Sequence, residues 1–190
     1  SLESKRNNLK EVDRLFEYIY KLLNNKESEN YRFQTILLSF FIDYQFNLNA
    51  SEKAYHVALK RSQILFDMYG GISDEYIKSL WDQYDASFVY NQEKAKVIID
   101  SICDIQEKIT GKNHHDYFTA LNSKIETYIA IGDYNNALKY SNELMDLSNG
   151  TRYHILYKQQ QVTILHDLGK YEEAIKKQKE IVVYYISINN

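Results

Sequence analysis

The sequence predicts an all-α protein, a solenoid of about four helical hairpins preceded by one further helix. Small residues, which we call the landmark alanines, recur at spacings of 41, 42 and 37 residues, at Ala54, Ala95, Ala137 and Ala174. Self-similarity with a period of about 20 to 50 residues is typical of stacked repeat proteins. The 190 residues include no proline and only 6 glycines, so residues that break helices are rare.

The last two landmark alanines lie within matching phrases. GDYNNAL at residues 132–138 is echoed by GKYEEAI at residues 169–175. The segments that begin at Gly70 and Gly111 also correspond, at an offset of 41 residues. Each of these two glycines is expected to end a long helix, because glycine adopts the left-handed conformation that often follows a helix.

The helices can be placed in order along the chain. A leading helix is predicted within residues 1–25, with apolar residues at helical spacing at Leu9, Val12, Phe16, Ile19 and Leu23. Four hairpins follow over residues 31–70, 74–111, 116–149 and 151–187. Their first (A) and second (B) helices are predicted at 31–47 and 51–69, 74–90 and 92–110, 116–131 and 135–147, and 151–168 and 171–186.

Turns and caps are expected between these helices. The turns within the hairpins lie five residues before the landmark alanines, at Asn49, Tyr90, Gly132 and Gly169. Glycine and asparagine tolerate a positive φ angle, whereas Tyr90 does not fit, so a distorted or longer turn is expected there. Asp74 and Asp116 are the expected N-caps, because a carboxylate accepts hydrogen bonds from the unpaired amides of the first helical turn.

Composition restricts the class of partner. The net charge is −3 and the pI is about 6.0, so no basic field favours nucleic acid or an anionic membrane. No apolar stretch has the length of a membrane span, and the single cysteine excludes an internal disulfide. The first residues lack Met and an apolar leader, which suggests a piece of a longer protein. A cytoplasmic location is expected, or a periplasmic one if a signal or membrane segment was removed.

The residues that could bind a metal or act in catalysis have structural interpretations. His114, His115 and Asp116 are consecutive, but adjacent residues at a helix start point in different directions, and no fourth metal ligand follows at a recognisable spacing. Cys103 lies on the inward stripe with Ile99 and Ile102, as a buried small residue would. Phosphate-binding loops, nucleophile elbows and paired cysteines are missing from the sequence, so neither catalysis, nor a cofactor, nor a metal is predicted.

The matching phrases resemble the turn between the A and B helices of tetratricopeptide repeats. The period of 41 to 42 residues exceeds the usual length of about 34 and is similar to the lengthened repeats of the kinesin-light-chain type, which bacteria also use. The resemblance implies a right-handed α-α superhelix. It also implies a scaffold without enzymatic activity that binds a protein or peptide on its concave face.

In such stacks the A helices line the groove, at positions about 18, 15, 11 and 8 residues before each landmark alanine. The resemblance implies that an asparagine at the place of Asn122 donates a hydrogen bond to a bound peptide backbone. The residues expected in the groove are Asp43, Trp81, Tyr84, Ser87, Thr119, Asn122, Glu126, Gln159, Thr163 and His166. Trp81 is included because it neighbours the counted positions on its helix.

Two alternatives to a peptide-binding scaffold stay open. The closing segment at residues 171–190 resembles the last repeat of bacterial sensor-regulators that carry such repeats ahead of a kinase or DNA-binding domain. In that case this chain would be the sensory or regulatory module of a signalling or transcription regulator. It could instead form a homodimer through its last helix, because the run VVYYI at residues 182–186 is apolar nearly all round and needs a cover. No contact with nucleic acid or a membrane is expected through this domain.

Overall fold

The computed structural model describes residues 11, 13–15, 17, 18, 20, 21 and 31–188, and those between 11 and 21 are helical. The apolar residues on which the leading helix was predicted lie outside the described residues. Eight helices follow from residue 31: α1 (Tyr31–Asn47), α2 (Ser51–Tyr69), α3 (Asp74–Tyr90), α4 (Gln92–Thr110), α5 (His115–Ala130), α6 (Tyr134–Leu147), α7 (His154–Asp167) and α8 (Tyr171–Ile188).

The helices form an all-α repeat superhelix. The A helices α1, α3, α5 and α7 pack against the B helices α2, α4, α6 and α8 that follow them, and each of the first three B helices also packs against the next A helix. Each hairpin is therefore stabilised mainly by its neighbours in sequence. None of the described helices combines the length and the hydrophobicity that crossing a membrane requires.

The landmark alanines are buried in the first turn of the second helix of each hairpin. Ala54, Ala95 and Ala137 are fully buried, and Ala174 is 6% exposed. A larger side chain at a closely packed crossing would force the helices apart or distort their side chains. Each hairpin therefore buries a small residue at the same position of its second helix.

Three of the four turns within hairpins follow the prediction. Asn49, Gly132 and Gly169 have positive φ angles of 55°, 77° and 73°, and three residues separate the helices in each case. The prediction of a longer turn near Tyr90 is wrong, because Asn91 alone separates α3 from α4. Its N–H donates to the Ser87 carbonyl, at 2.6 Å, and its side chain accepts from the amide of Lys94, at 3.1 Å.

The predicted caps are also wrong by one or two positions. Ser73 Oγ accepts from the amide of Tyr76 at the start of α3, at 3.3 Å. His114 Nδ1 accepts from the amide of Asp116 at the start of α5, at 3.2 Å. A capping residue has non-helical backbone angles, whereas Asp74 and Asp116 already belong to the first helical turn. There their carboxylates face the positive end of the helix dipole instead.

Some helix ends differ from the prediction. The helix predicted at 116–131 spans His115–Ala130, and that predicted at 135–147 begins at Tyr134. The helix predicted at 151–168 spans His154–Asp167, and the last helix continues past residue 186 to Ile188. The late start of α7 has a local cause, since Thr151 Oγ1 donates to the Ser148 carbonyl, at 2.7 Å, and accepts from the Tyr153 amide, at 3.3 Å.

Corresponding positions of three A helices make polar contacts with the preceding B helix. We call these the cross-hairpin polar contacts, and their A-helix members are 41 and then 37 residues apart. The pairs are Gln83 with Ser62, Lys124 with Asp100 at 2.8 Å, and Gln161 with Asn142 at 2.6 Å. Because polar groups lose water when helices pack, each pair offsets a desolvation cost and favours one alignment of the two helices.

The capping assignment predicts a difference between adjacent residues. Ser73→Ala removes the oxygen that accepts from the Tyr76 amide, so we expect a loss of about 1 kcal/mol in the free energy of unfolding. Asp74→Ala, the matched control, leaves that hydrogen bond intact and should cost less than half as much. Urea unfolding followed by circular dichroism measures both, and a greater loss for Asp74→Ala would contradict the assignment.

Candidate functional site

We define the A-helix face as the series of exposed or half-buried side chains at matching positions of α1, α3, α5 and α7. Most residues predicted for the groove occur on it. Asn122 is half-buried, and the predicted residues that are exposed on α1, α5 and α7 are Asp43, Thr119, Glu126, Gln159, Thr163 and His166. Four successive A helices thus present side chains in the same order.

Tyr84 and Ser87 are exceptions, and their assignment to a ligand-contacting groove is wrong. Tyr84 is 5% exposed and Ser87 is fully buried. The Tyr84 hydroxyl donates to the Ser123 carbonyl, at 3.0 Å, and lies 3.1 Å from Thr127 Oγ1. Burial raises the pKa of Tyr84 to about 12. These contacts attach α3 to α5, so the two residues have a structural role.

The one-residue turn at Asn91 explains the error. From Gly70 to Ala95 the chain advances 25 residues, whereas from Gly111 to Ala137 it advances 26. Counting back from Ala95 therefore selects positions one residue too early on α3. The residues that lie on the A-helix face are Lys78, Trp81, Asp85 and Phe88, which correspond at an offset of 41 to Thr119, Asn122, Glu126 and Ile129. Counting forward from Gly70 would have found them.

Trp81 thus occupies the position on α3 that Asn122 occupies on α5. Its indole is half-buried, packs against the core cluster and meets the Tyr84 ring edge-on, with centroids 5.6 Å apart and planes at 90°. Such an edge-to-face pair restrains the orientation of the indole. The half-exposed ring provides a rigid aromatic surface in the middle of the A-helix face.

Asn122 and Glu126 are joined to each other. The amide Nδ2 of Asn122 donates to Glu126 Oε1 at 2.9 Å, one helical turn along α5. This bond uses one amide hydrogen and one carboxylate oxygen. The carbonyl oxygen and the second amide hydrogen of Asn122 are still available to a ligand, as is the other carboxylate oxygen.

Carboxylates accumulate on the first three A helices. Asp43 lies on α1, Asp82 and Asp85 lie on α3, and Glu126 lies on α5. Burial raises the pKa of Asp82, its ion pair with Arg61 opposes that rise, and the charge of Asp43 adds to it. Desolvation and the neighbouring Asp82 also raise the pKa of Asp85. Lys78 on the same face and Arg61 offset two of these four carboxylates, so this part of the face keeps a net negative charge. From the predicted set, α7 contributes the uncharged Gln159 and Thr163.

The other residues singled out in the sequence have structural partners. His114 caps α5, and the His115 ring stacks on Tyr153 with centroids 4.7 Å apart. Within the described residues no group of three or more His, Cys, Asp or Glu side chains could hold a metal ion. Cys103 is buried, and burial raises the pKa of its thiol to about 12, which keeps the thiol protonated and poorly nucleophilic at neutral pH.

Comparison with known proteins identifies the fold. No family model matches the sequence, and neither does any curated protein. Among solved structures, the chain is similar to a variant of nearly identical TPR-like repeats from a Podosopora anserina kinesin light chain. The TM-score is 0.69 at 14% sequence identity, and the match covers 85% of this chain and 78% of that one. A second structure of those repeats has a TM-score of 0.68 and 14% identity, covering 82% and 75% of the two chains.

A third solved structure extends the likeness to the full chain. BtubC (BKLC) from P. vanneervenii superposes with a TM-score of 0.72 and 11% identity, over 100% of this chain and 78% of that one. At such low identity the likeness concerns the fold. The chain therefore has the TPR-like superhelical fold of kinesin-light-chain-like repeats, in agreement with the resemblance of its turn phrases.

The structural role of Tyr84 is testable. Tyr84→Phe removes the hydroxyl that links α3 to α5, and we expect the free energy of unfolding to fall by about 1 to 2 kcal/mol because the hydrogen bonding between the two helices is lost. Tyr171→Phe, at an exposed tyrosine of α8, serves as the control and should change stability little. Equal urea midpoints for the two variants would show that the Tyr84 hydroxyl does not stabilise the stack.

Proposed function

We propose that this chain is a non-enzymatic scaffold whose A-helix face binds a peptide or an exposed segment of a protein. The observation that supports this most is the alignment of accessible side chains on α1, α3, α5 and α7, one set in each hairpin. Stacked helix pairs present such a series as an extended concave surface. A ligand that lies across the helices would meet one set after another.

The side chains of the A-helix face favour a cationic ligand. Asp43, Asp85 and Glu126 place a carboxylate on each of the first three A helices, and these would attract Lys or Arg side chains. Trp81 offers a ring face to a cation or to an apolar side chain. The amide of Asn122 can both donate to and accept from a peptide backbone. We therefore propose a basic peptide with an apolar or aromatic residue.

Peptide selection tests this assignment. Peptides of random sequence displayed on phage should be enriched in Lys and Arg after panning against the chain. We expect Glu126→Gln and Asn122→Ala each to weaken binding of the selected peptides about tenfold, which corresponds to about 1.4 kcal/mol. Fluorescence polarisation with labelled synthetic copies of the selected peptides measures the dissociation constants.

The matched control neutralises a charge elsewhere. Glu93→Gln removes one carboxylate from the exposed first turn of the B helix α4 and should leave peptide affinity unchanged. If Glu93→Gln weakens binding as much as Glu126→Gln does, only the overall charge matters and the A-helix face is not the site. Enrichment of acidic peptides would contradict the ligand chemistry.

The last helix supports self-association as a second function. Val182 is 47% exposed, whereas Cys103 and Met145, at the corresponding positions of α4 and α6, are buried. In those earlier hairpins the next A helix packs against the B helix. Several neighbouring side chains of α8 are also exposed, including Ile175, Val183 and Ile186. We propose that α8 of a second copy covers this surface, continuing the packing of the stack.

Sedimentation analysis tests the homodimer. At a protein concentration of about 100 μM, where weak self-association is populated, we expect the wild type to sediment at about twice the chain mass of 22.6 kDa. Val182→Glu should sediment as a monomer because a carboxylate would be buried in the interface. Val97→Glu, at an exposed valine of α4, should stay dimeric. A monomeric wild type would exclude the proposal.

A further inference from the structure

A cavity of about 360 Å³ lies where α6, α7 and α8 meet, apart from the residues assigned to the A-helix face. It is open to solvent along the exposed side chains of Asn142, Asp146 and Glu180. Its lining includes five ionisable side chains: Asp146 from α6, His154 and Lys158 from α7, and Lys177 and Glu180 from α8. The amides of Asn142 and Gln161, which form one of the cross-hairpin polar contacts, lie in the same lining. Its volume is near the lower end of the range for small-molecule sites.

The corresponding place one hairpin earlier contains aromatic rings. Lys177 corresponds to Tyr140 and His154 to Tyr117, each at an offset of 37 residues. Tyr117 is buried, and the Tyr140 ring stacks on Tyr128 with centroids 5.3 Å apart. The last hairpin therefore replaces two packed rings by a lysine and a histidine. The cavity lies at the place of this change in the repeat, and its polar lining distinguishes it from a packing defect between apolar side chains.

The cavity contains one ion pair and two further charges, and the hydrogen bond and charge of Lys158 together with the charge of Lys177 lower the pKa of Glu180. Lys158 Nζ lies 3.0 Å from Glu180 Oε2. Among the described residues, neither Lys177 nor Asp146 forms an ion pair within 4.0 Å. Burial lowers the pKa of His154, and the positive charges of Lys158 and Lys177 lower it further. The imidazole is accordingly neutral at pH 7, and the four charges of the lining sum to zero.

We propose that this cavity binds a small zwitterion of amino-acid or dipeptide size, with its carboxylate on Lys177 and its ammonium group on Asp146. A cation on α8 and an anion on α6, neither in an ion pair within the described residues, match a ligand that carries both charges. Each contact would be a charge-assisted hydrogen bond, which is stronger than a neutral one. The neighbouring amides and imidazole could bind the polar groups between the two ends.

Nuclear magnetic resonance titration of the His154 ring signals tests the proposal. The probes are L-alanine and L-alanyl-L-alanine, compared with propionate and ethylamine, which each carry one of the two charges. We expect at least one zwitterion to produce saturable shifts with a dissociation constant of about 1 mM or lower, and each single-charge probe to bind at least tenfold more weakly. Propionate binding as tightly as the zwitterions would overturn the proposal, because it would indicate a site for anions.

Variants on both sides of the cavity complete the test. Lys177→Met should abolish saturation, and Asp146→Asn should weaken zwitterion binding at least tenfold. Lys176→Met, which removes the same charge from an exposed neighbour on α8 outside the lining, should bind like the wild type. Circular dichroism checks that each variant folds. Unchanged binding by both cavity variants, or no saturation of the wild type by either zwitterion up to about 20 mM, would exclude this site. The outcome is independent of peptide binding on the A-helix face.

Discussion

Close packing at the landmark alanines determines the distance between the two helices of every hairpin. Ala54, Ala95, Ala137 and Ala174 occupy the fourth position of α2, α4, α6 and α8 and are buried there, so a larger side chain would have to displace its neighbours. Because the crossing point recurs, the hairpins stack as equivalent units, and the core extends from one hairpin to the next. The surfaces of the stack follow from that repetition.

Turn length then determines which side of an A helix is accessible. Three turns have three residues, but Asn91 alone connects α3 to α4. A shorter connection rotates the preceding A helix about its own axis if the landmark alanine of the B helix stays in place. This follows because each residue of an α-helix turns the backbone by about 100°. The consequence is specific: Tyr84 becomes a buried link to α5, and Trp81 and Asp85 come to the A-helix face.

The repeats differ in what fills the space between consecutive B helices. Around α5 aromatic rings occupy this space, and the ammonium of Lys124 lies 4.1 Å from the centroid of the Tyr140 ring. Lys124 also forms an ion pair with Asp100. Around α7 the corresponding contact is an amide pair beside a polar cavity. Stacking requires a constant spacing of the helices but tolerates different side chains at other positions. The same fold therefore carries different side chains around α5 and around α7.

Much of the architecture could be predicted from the sequence because it depends on local signals. Alanine spacing, glycine turns and the lack of proline were sufficient for the helical class, the order of the helices and the bounds of α1 to α4. The accessible positions on α1, α5 and α7 followed from the resemblance to tetratricopeptide repeats, applied to the alanine spacing. The caps at Ser73 and His114 did not, because competing donors and acceptors nearby have similar intrinsic preferences.

The sequence by itself therefore determined that the chain is a stack of helical hairpins with a lengthened repeat. Only the tertiary structure decided which of two counts, back from Ala95 or forward from Gly70, gives the exposed positions of α3, and only it revealed the cavity beside α8. Both depend on packing between residues far apart in sequence, such as Tyr84 with Thr127 and the residues of α6 with those of α8. Local preferences do not specify such contacts, since a helix is equally regular whichever side it buries.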